Sequence, residues 1–149
     1  RMIFKVIIPA RANSKRLPGK NMKVLGGKPL IQHSIDFAKK SFLNKDIWVN
    51  SDDPEILQLA KTNGIMSLHR PEEFGADFSS TADVLKHHAI YFKRNKIACD
   101  AMILLRPTNP FRDDDLFADA LRYFKELNRN SLATFSISEK KLGKIENAF

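Results

Sequence analysis

Short apolar segments of strand length alternate along this chain with stretches whose apolar residues recur at helical spacing. Few folds accept that pattern. Ile3–Pro9 holds Ile3, Phe4, Val6, Ile7 and Ile8, a nearly continuous apolar run that suits a parallel strand covered on both faces. A long loop is expected from Ala10 to about Lys28, after which Pro29 fits the first turn of a helix striped by Ile31, Ile35, Ala38 and Phe42. Asp46–Asn50 reads as the second strand. Asp53 then caps a helix beginning at Pro54, with Ile56, Leu57 and Ala60 facing inward. Gly64 suits that helix's stop, and Ile65–Leu68 is a short third strand. A further helix starts at Ser80 or Thr81 and buries Val84, Leu85, His88 and Phe92. Ala101–Leu105 is a fourth, buried strand, Leu116–Leu127 a helix with Phe117, Ala120, Leu121 and Phe124 inward, and Leu132–Ile137 a closing strand. Strands alternating with helices imply one α/β domain over residues 1–149, a mostly parallel sheet with helices on both faces. Ligands of such sheets bind at the carboxyl ends of the strands. The segments after Pro9, Asn50, Leu68 and Leu105 are therefore expected to gather on one edge.

Composition removes several alternatives. No apolar run approaches the ~20 residues of a membrane helix, and Ile3–Ile8 is too short for a secretory signal. Cys99, the only cysteine, cannot form an internal disulfide, which favours a reducing, cytoplasmic setting and excludes a four-cysteine zinc site. The net charge of +8 is unevenly placed: residues 1–45 hold eleven of the 25 Lys and Arg and one of the 17 acids, Asp36. An anionic partner bound by that region accounts for the bias, and so does a solvated basic face. Position has to separate the two.

The cations concentrate in Pro9–Asn21, PARANSKRLPGKN, which sets Arg11, Lys15, Arg16 and Lys20 directly behind the first strand. Asn13 and Ser14 add small hydrogen-bonding groups, Pro18 stiffens the loop, and Gly19 lets backbone approach a ligand. A triphosphate needs several cations and backbone N–H groups converging on it, and the end of a strand is where a parallel sheet offers them. The loop is neither a Walker loop, since Gly19-Lys20-Asn21 lacks the Ser or Thr that holds magnesium, nor a G-x-G-x-x-G turn for a dinucleotide.

At these residues the chain resembles the acylneuraminate cytidylyltransferases, the CMP-sialic acid synthetase family. The resemblance rests on IIPARANSKRLPGKN at 7–21, GKPLIQHSI at 27–35, VNSDDPEI at 49–56, RPEEFGADFSST at 70–81 and LLRPTNPFR at 104–112, in the family's order over nearly the whole chain. It implies a Rossmann-like nucleotidyltransferase domain. In that family the anomeric hydroxyl of an acidic nine-carbon sugar attacks the α-phosphate of CTP, with Mg2+ present, and pyrophosphate leaves. By the same resemblance Arg11 and Lys20 are the catalytic cations that hold the triphosphate. Ala10, Asn13, Ser14 and Asn21 line the nucleotide, and Arg70 with Ser79, Ser80 and Thr81 meets the cytosine or ribose. Arg106 and Thr108 face the sugar. Positioning and electrostatics carry such a reaction.

Two departures stand out. The family usually reads LLQPTSPLR where this chain has Arg106 and Asn109; the arginine either pairs with a sugar carboxylate or fills a surface position. Family members also extend well beyond 149 residues, and their magnesium-holding aspartate pair and dimer-forming arm lie in that later part, so the resemblance implies that this chain lacks the C-terminal part and that the full-length proteins are homodimers. No magnesium ligand is identifiable here. The 3-deoxy-manno-octulosonate enzymes carry a similar basic loop but continue with proline where this chain has Asn21. They stand second. A nucleotide-binding fragment without turnover is a further reading. A nucleic-acid module fits less well, because the cations cluster in one loop and no Phe, Tyr or Trp lies between Phe4 and Phe37. Asp52-Asp53 and Asp113-Asp114-Asp115 read as helix-start acids rather than metal ligands. His87 and His88, neighbours on a helix, point some 100° apart and cannot share a metal.

Overall fold

The computed structural model describes residues 2–12, 18–71, 80–108 and 112–126. The chain divides into two compact units, Arg1–Phe111 and Arg112–Phe149. The first unit is built on four parallel strands: β1 (Phe4–Ala10), β4 (Ile47–Ser51), β5 (Met66–His69) and β6 (Ala101–Leu104), in the order β5-β4-β1-β6. Between β1 and β4 lie a two-stranded antiparallel hairpin, β2 (Val24–Leu25) with β3 (Lys28–Pro29), and helix α1 (Leu30–Lys39). Helix α2 (Pro54–Thr62) joins β4 to β5, and α3 (Thr81–Arg94) precedes β6. The described part of the second unit contains α4 (Leu116–Glu126), on which Phe117 is buried.

The α/β expectation holds, and burial says why. Val6, Ile7 and Ile8 of β1 and Ile47, Trp48 and Val49 of β4 are consecutive residues pointing to opposite faces, yet none is more than 2% exposed. Only a sheet covered on both sides does that. Ile31, Ile35 and Ala38 of α1 are sealed, as are Ile56 and Ala60 of α2. Val84 and Phe92 of α3 join Ile7, Trp48 and Leu68 in one cluster. The Trp48 and Phe92 rings meet edge-on, with centroids 5.0 Å apart.

Local chemistry sets the element ends. Asp53 caps α2 by accepting from the Glu55 N–H at 2.9 Å, as its sequence position predicts. At the other end Gly64 adopts φ +70°, while its N–H donates to the Lys61 carbonyl and that of Ile65 to Ala60. That is the Schellman stop. Ser80 caps α3, its Oγ accepting from the Asp83 N–H at 3.2 Å.

Several boundaries differ from expectation. The predicted loop over 10–28 contains the β2–β3 hairpin, turned by Gly26 and Gly27 at φ +60° and +83°. Each strand has only two residues, too few for a periodicity to register. Pro29 ends β3 as the residue capping α1, so it precedes the helix instead of opening its first turn. Phe42 lies beyond the end of α1, where the chain turns with its N–H donating to the Ala38 carbonyl. The residues of β6 are half-buried rather than sealed, because β6 has a neighbour on one side only among the described strands. In α4, Ala120, Leu121 and Phe124 are half-buried. Leu132–Ile137 lies outside the described residues.

Candidate nucleotide-binding cleft

The strand order places a topological switch beside β1. From β1 the chain proceeds outward through β4 and β5, then returns to lay β6 on the opposite side of β1. The segments leaving β1 and β6 therefore part at the carboxyl edge, and a crevice is left between them. An open cleft lies there, lined by Pro9 and Arg11 after β1, Lys20 and Asn21 of the following loop, and Arg70 after β5. Ser80, Thr81 and Val84 at the start of α3 and Arg106, Pro107 and Thr108 after β6 complete it.

Of the residues singled out from sequence, the fold brings Arg11, Lys20, Asn21, Arg70, Ser80, Thr81, Arg106 and Thr108 to this one cleft, although 97 positions separate the first from the last. Ala10 sits at the buried end of β1, paired in register with Ser51. Asn13, Ser14 and Ser79 lie outside the described residues.

The cationic loop is held by backbone contacts. Asp52 Oδ1 accepts from the Ala12 N–H at 2.8 Å, which anchors the exit of β1 to the exit of β4. Asp53 alone caps α2, so the two acids that sequence reading grouped as helix-start residues have separate tasks. Gly19, at φ +68°, opens a one-turn 3-10 helix, Lys20–Met22, and its N–H donates to the Ala12 carbonyl at 3.3 Å. Asn21 Nδ2 donates to the Arg11 carbonyl at 3.2 Å. These contacts tie Gly19 and Asn21 back to Arg11 and Ala12, and Lys20 lines the cleft.

Opposite the loop, Arg106 donates through Nη2 to Thr81 Oγ1. Arg106 is exposed, but its guanidinium is engaged at the cleft wall instead of hanging in solvent. Thr81 opens the 14-residue α3, so the helix's N-terminal end, with its partial positive charge, also faces the cleft. Four cations and a helix N-terminus on one crevice give it a positive potential that suits an anion.

Arg70 differs from the other three cations. It is 1% exposed. Its Nε donates to Asn50 Oδ1 at 2.9 Å, and its N–H donates to the Ser51 carbonyl at 2.8 Å, extending the β4–β5 pairing by one residue. Burial lowers its pKa from the usual arginine value; Asp52 opposes that shift and Arg11 adds to it. Asn50, itself fully buried, turns its Nδ2 toward His88 Nε2 at 3.1 Å and His87 Nδ1 at 3.3 Å. Burial, then the charges of His87 and Arg70, push His88 down to about 3. Burial, Arg70 and His69 lower His87. Sequence reading placed Asn50 at a strand end and His88 among the buried residues of its helix, excluded only a shared metal for His87 and His88, and missed this chain of contacts. The available signal was a lone asparagine closing an otherwise apolar strand, Ile47-Trp48-Val49-Asn50.

Among the described residues no group of three or more His, Cys, Asp or Glu side chains converges as a metal site. They do not by themselves fit a magnesium centre. No helix among them is long and apolar enough to cross a membrane.

A parallel α/β sheet with a cationic cleft at its switch point is a Rossmann-like architecture, in which ligands bind at the carboxyl ends of the strands. Residues 5–149 match the family model described as cytidylyltransferase, and the chain belongs to that family. It is 35% identical over 135 residues to the CMP-N,N'-diacetyllegionaminic acid synthase of Legionella pneumophila, covering 90% of this chain and 58% of that protein. It is also 35% identical over 139 residues to the N-acylneuraminate cytidylyltransferase of Streptococcus agalactiae, covering 92% of this chain and 33% of that one. Among solved structures, the CMP:2-keto-3-deoxy-manno-octonic acid synthetase complexed with CTP superposes with a TM-score of 0.70 at 27% identity, over 88% of this chain and 51% of that one. The chain thus spans between a third and three fifths of the length of these proteins.

Proposed function

We propose that this chain is the nucleotide-binding part of an enzyme that transfers CMP from CTP to a nonulosonic acid, an N-acylneuraminate or a related legionaminate or pseudaminate, releasing pyrophosphate. The convergence of Arg11, Lys20, Arg70 and Arg106 on the switch-point cleft, with the N-terminus of α3 beside them, carries the reading. A triphosphate bears its charge along a line of three phosphates, and a crevice between two parting loops can meet it from both sides. Arg11 and Lys20, on the β1 side, neutralise the charge that develops on the pyrophosphate as the bond to the α-phosphorus breaks. The nucleophile is the sugar's anomeric hydroxyl. Arg70 and the Ser80–Thr81 pair meet the cytidine, and Arg106 with Thr108 meets the sugar, where an arginine can form a two-point contact with a carboxylate.

Magnesium belongs to this reading through the family resemblance alone, and no step is derived from it. The homodimer of the full-length family is likewise a proposal, as is the cytoplasmic location that the single cysteine favours. Nucleic acid is not a partner in this reading, since the cleft gathers its cations at one point instead of along a face. The likeness to the octulosonate synthetase supports that sugar as a second acceptor.

The test is incubation with CTP and each acidic sugar, following CMP-sugar and pyrophosphate. Product with a nonulosonate is expected. Product with 3-deoxy-manno-octulosonate only would transfer the assignment to the second acceptor. CTP binding without turnover, restored in a longer chain, would make this chain a nucleotide-binding fragment, and absence of CTP binding would remove the assignment.

A further inference from the structure

Arg70 reaches the cleft from inside the protein, and the atoms behind it form a sequence whose polarity can be worked out. Strand alternation puts Trp48 and Asn50 on the same face of β4, the face that packs on α3. An arginine can only donate, so the Asn50 atom that meets Arg70 Nε is the carbonyl oxygen. The Asn50 amide nitrogen then necessarily faces α3, with one hydrogen for each histidine. His88 must accept at Nε2 and carry its proton on Nδ1; His87 must accept at Nδ1 and carry its proton on Nε2. The two adjacent histidines are therefore assigned opposite tautomers, both neutral.

We infer that Asn50 and His88 are positioning residues, a buried relay that holds the Arg70 guanidinium in one orientation for the nucleotide. This rests on the proposed binding of CTP in the cleft. Two observations give the relay its direction. His88 Nδ1 is buried with no hydrogen-bond partner among the described residues, which is the expected cost of a ring whose tautomer is dictated from its other side. The ring is also confined by Trp48 and Phe92, with centroids 6.0 and 5.4 Å away, so it cannot turn to exchange its nitrogens without displacing both. Arg70 sets which way the amide faces, and the confined ring then keeps the amide, and through it the arginine, from turning. A packing histidine would need none of this polarity.

The relay is tested first in the free protein, by 15N–1H correlation of the imidazole rings. His88 is expected as the Nδ1–H tautomer alone, and Arg70→Leu is expected to broaden it into a mixture as Asn50 gains freedom to turn. A proton on Nε2 of His88, or a tautomer unchanged in Arg70→Leu, would overturn the relay. The second arm is CTP titration. Asn50→Leu is expected to weaken CTP about 10-fold in the parent chain but less than 2-fold in the Arg70→Ala background; equal losses in both backgrounds would overturn it. Asn50→Ser replaces Asn50→Leu where the latter does not fold. If the parent chain binds no CTP, the nucleotide reading falls while the tautomer readout still decides whether the relay exists.

Discussion

His88 stands where its charged form is rejected, and that makes an acid-stability prediction. In the unfolded chain its pKa is near 6.5; in the folded protein burial, His87 and Arg70 push it down to about 3. Between those values the unfolded state takes up a proton that the folded state refuses. Stability from this residue is therefore complete above the unfolded value and declines as pH falls, until the folded ring also protonates near 3. Inside the window the slope is about 1.4 kcal/mol per pH unit. From pH 7.5 to pH 5.0 the loss integrates to about 2 kcal/mol.

His88→Gln keeps a hydrogen-bond acceptor for Asn50 but cannot titrate. The parent should lose about 2 kcal/mol more than this variant over the same pH interval, equivalent to roughly a 1 M larger fall in the urea midpoint. Trp48, the only tryptophan, lies against the His88 ring and reports the unfolding by fluorescence. All other titrating groups, His87 included, are common to both proteins and cancel in the comparison. Parallel pH profiles for parent and variant would show that His88 is not held neutral by the fold.

Arg11→Ala and Lys20→Ala should each weaken CTP by about 10–100-fold, the loss of one charge-assisted contact, with the urea midpoint unchanged. Unchanged affinity in both would detach the loop from the nucleotide. Arg106→Gln should raise KM for the acidic sugar far more than KM for CTP, and equal effects would contradict its placement at the sugar. Lys5 Nζ lies 2.6 Å from Asp46 Oδ1, with the lysine side chain only 8% exposed. Lys5→Ala strands that carboxylate and should cost about 3 kcal/mol by urea unfolding; a loss below 1 kcal/mol would mean the pair is solvated.

What sequence could disclose was whatever its local patterns carried. The apolar run at β1 announced a strand covered on both faces, the shorter run at β4 announced a strand, and Asp53, Gly64 and the Ser80–Thr81 pair marked helix ends because caps are nearest-neighbour chemistry. The clustering of Arg11 and Lys20 was equally local. Arg70 and Arg106 entered by family likeness: the alternation of strands and helices sets the segments after β5 and β6 on the same edge as the loop after β1, but does not say which of their side chains line a site. The Asn50 relay was hidden for a related reason. A histidine on the inward stripe of a helix looks like packing until the strand opposite it presents an amide. The β2–β3 hairpin escaped because four residues cannot display a period, and only Gly26-Gly27 signalled its turn.

The four cleft cations are not equivalent, and burial separates their work. Arg11, Lys20 and Arg106 are partly or fully exposed, so water and salt screen their attraction for a phosphate; Arg70 is sealed. Exposed cations gather an anion from solution but leave it many poses, because their side chains retain rotamer freedom. A sealed guanidinium has already lost that freedom in folding and is held in a fixed plane. Desolvation also leaves it less hydration to shed when a ligand arrives. Raising salt should therefore reduce the share of affinity owed to Arg11 and Lys20 well before that owed to Arg70. Measured at 50 and 500 mM NaCl, the penalty of Lys20→Ala on CTP affinity should shrink while that of Arg70→Ala persists. Were both to shrink together, Arg70 would be acting as one more screened surface charge, and the polarity running back through Asn50 to His88 would have no bearing on the nucleotide.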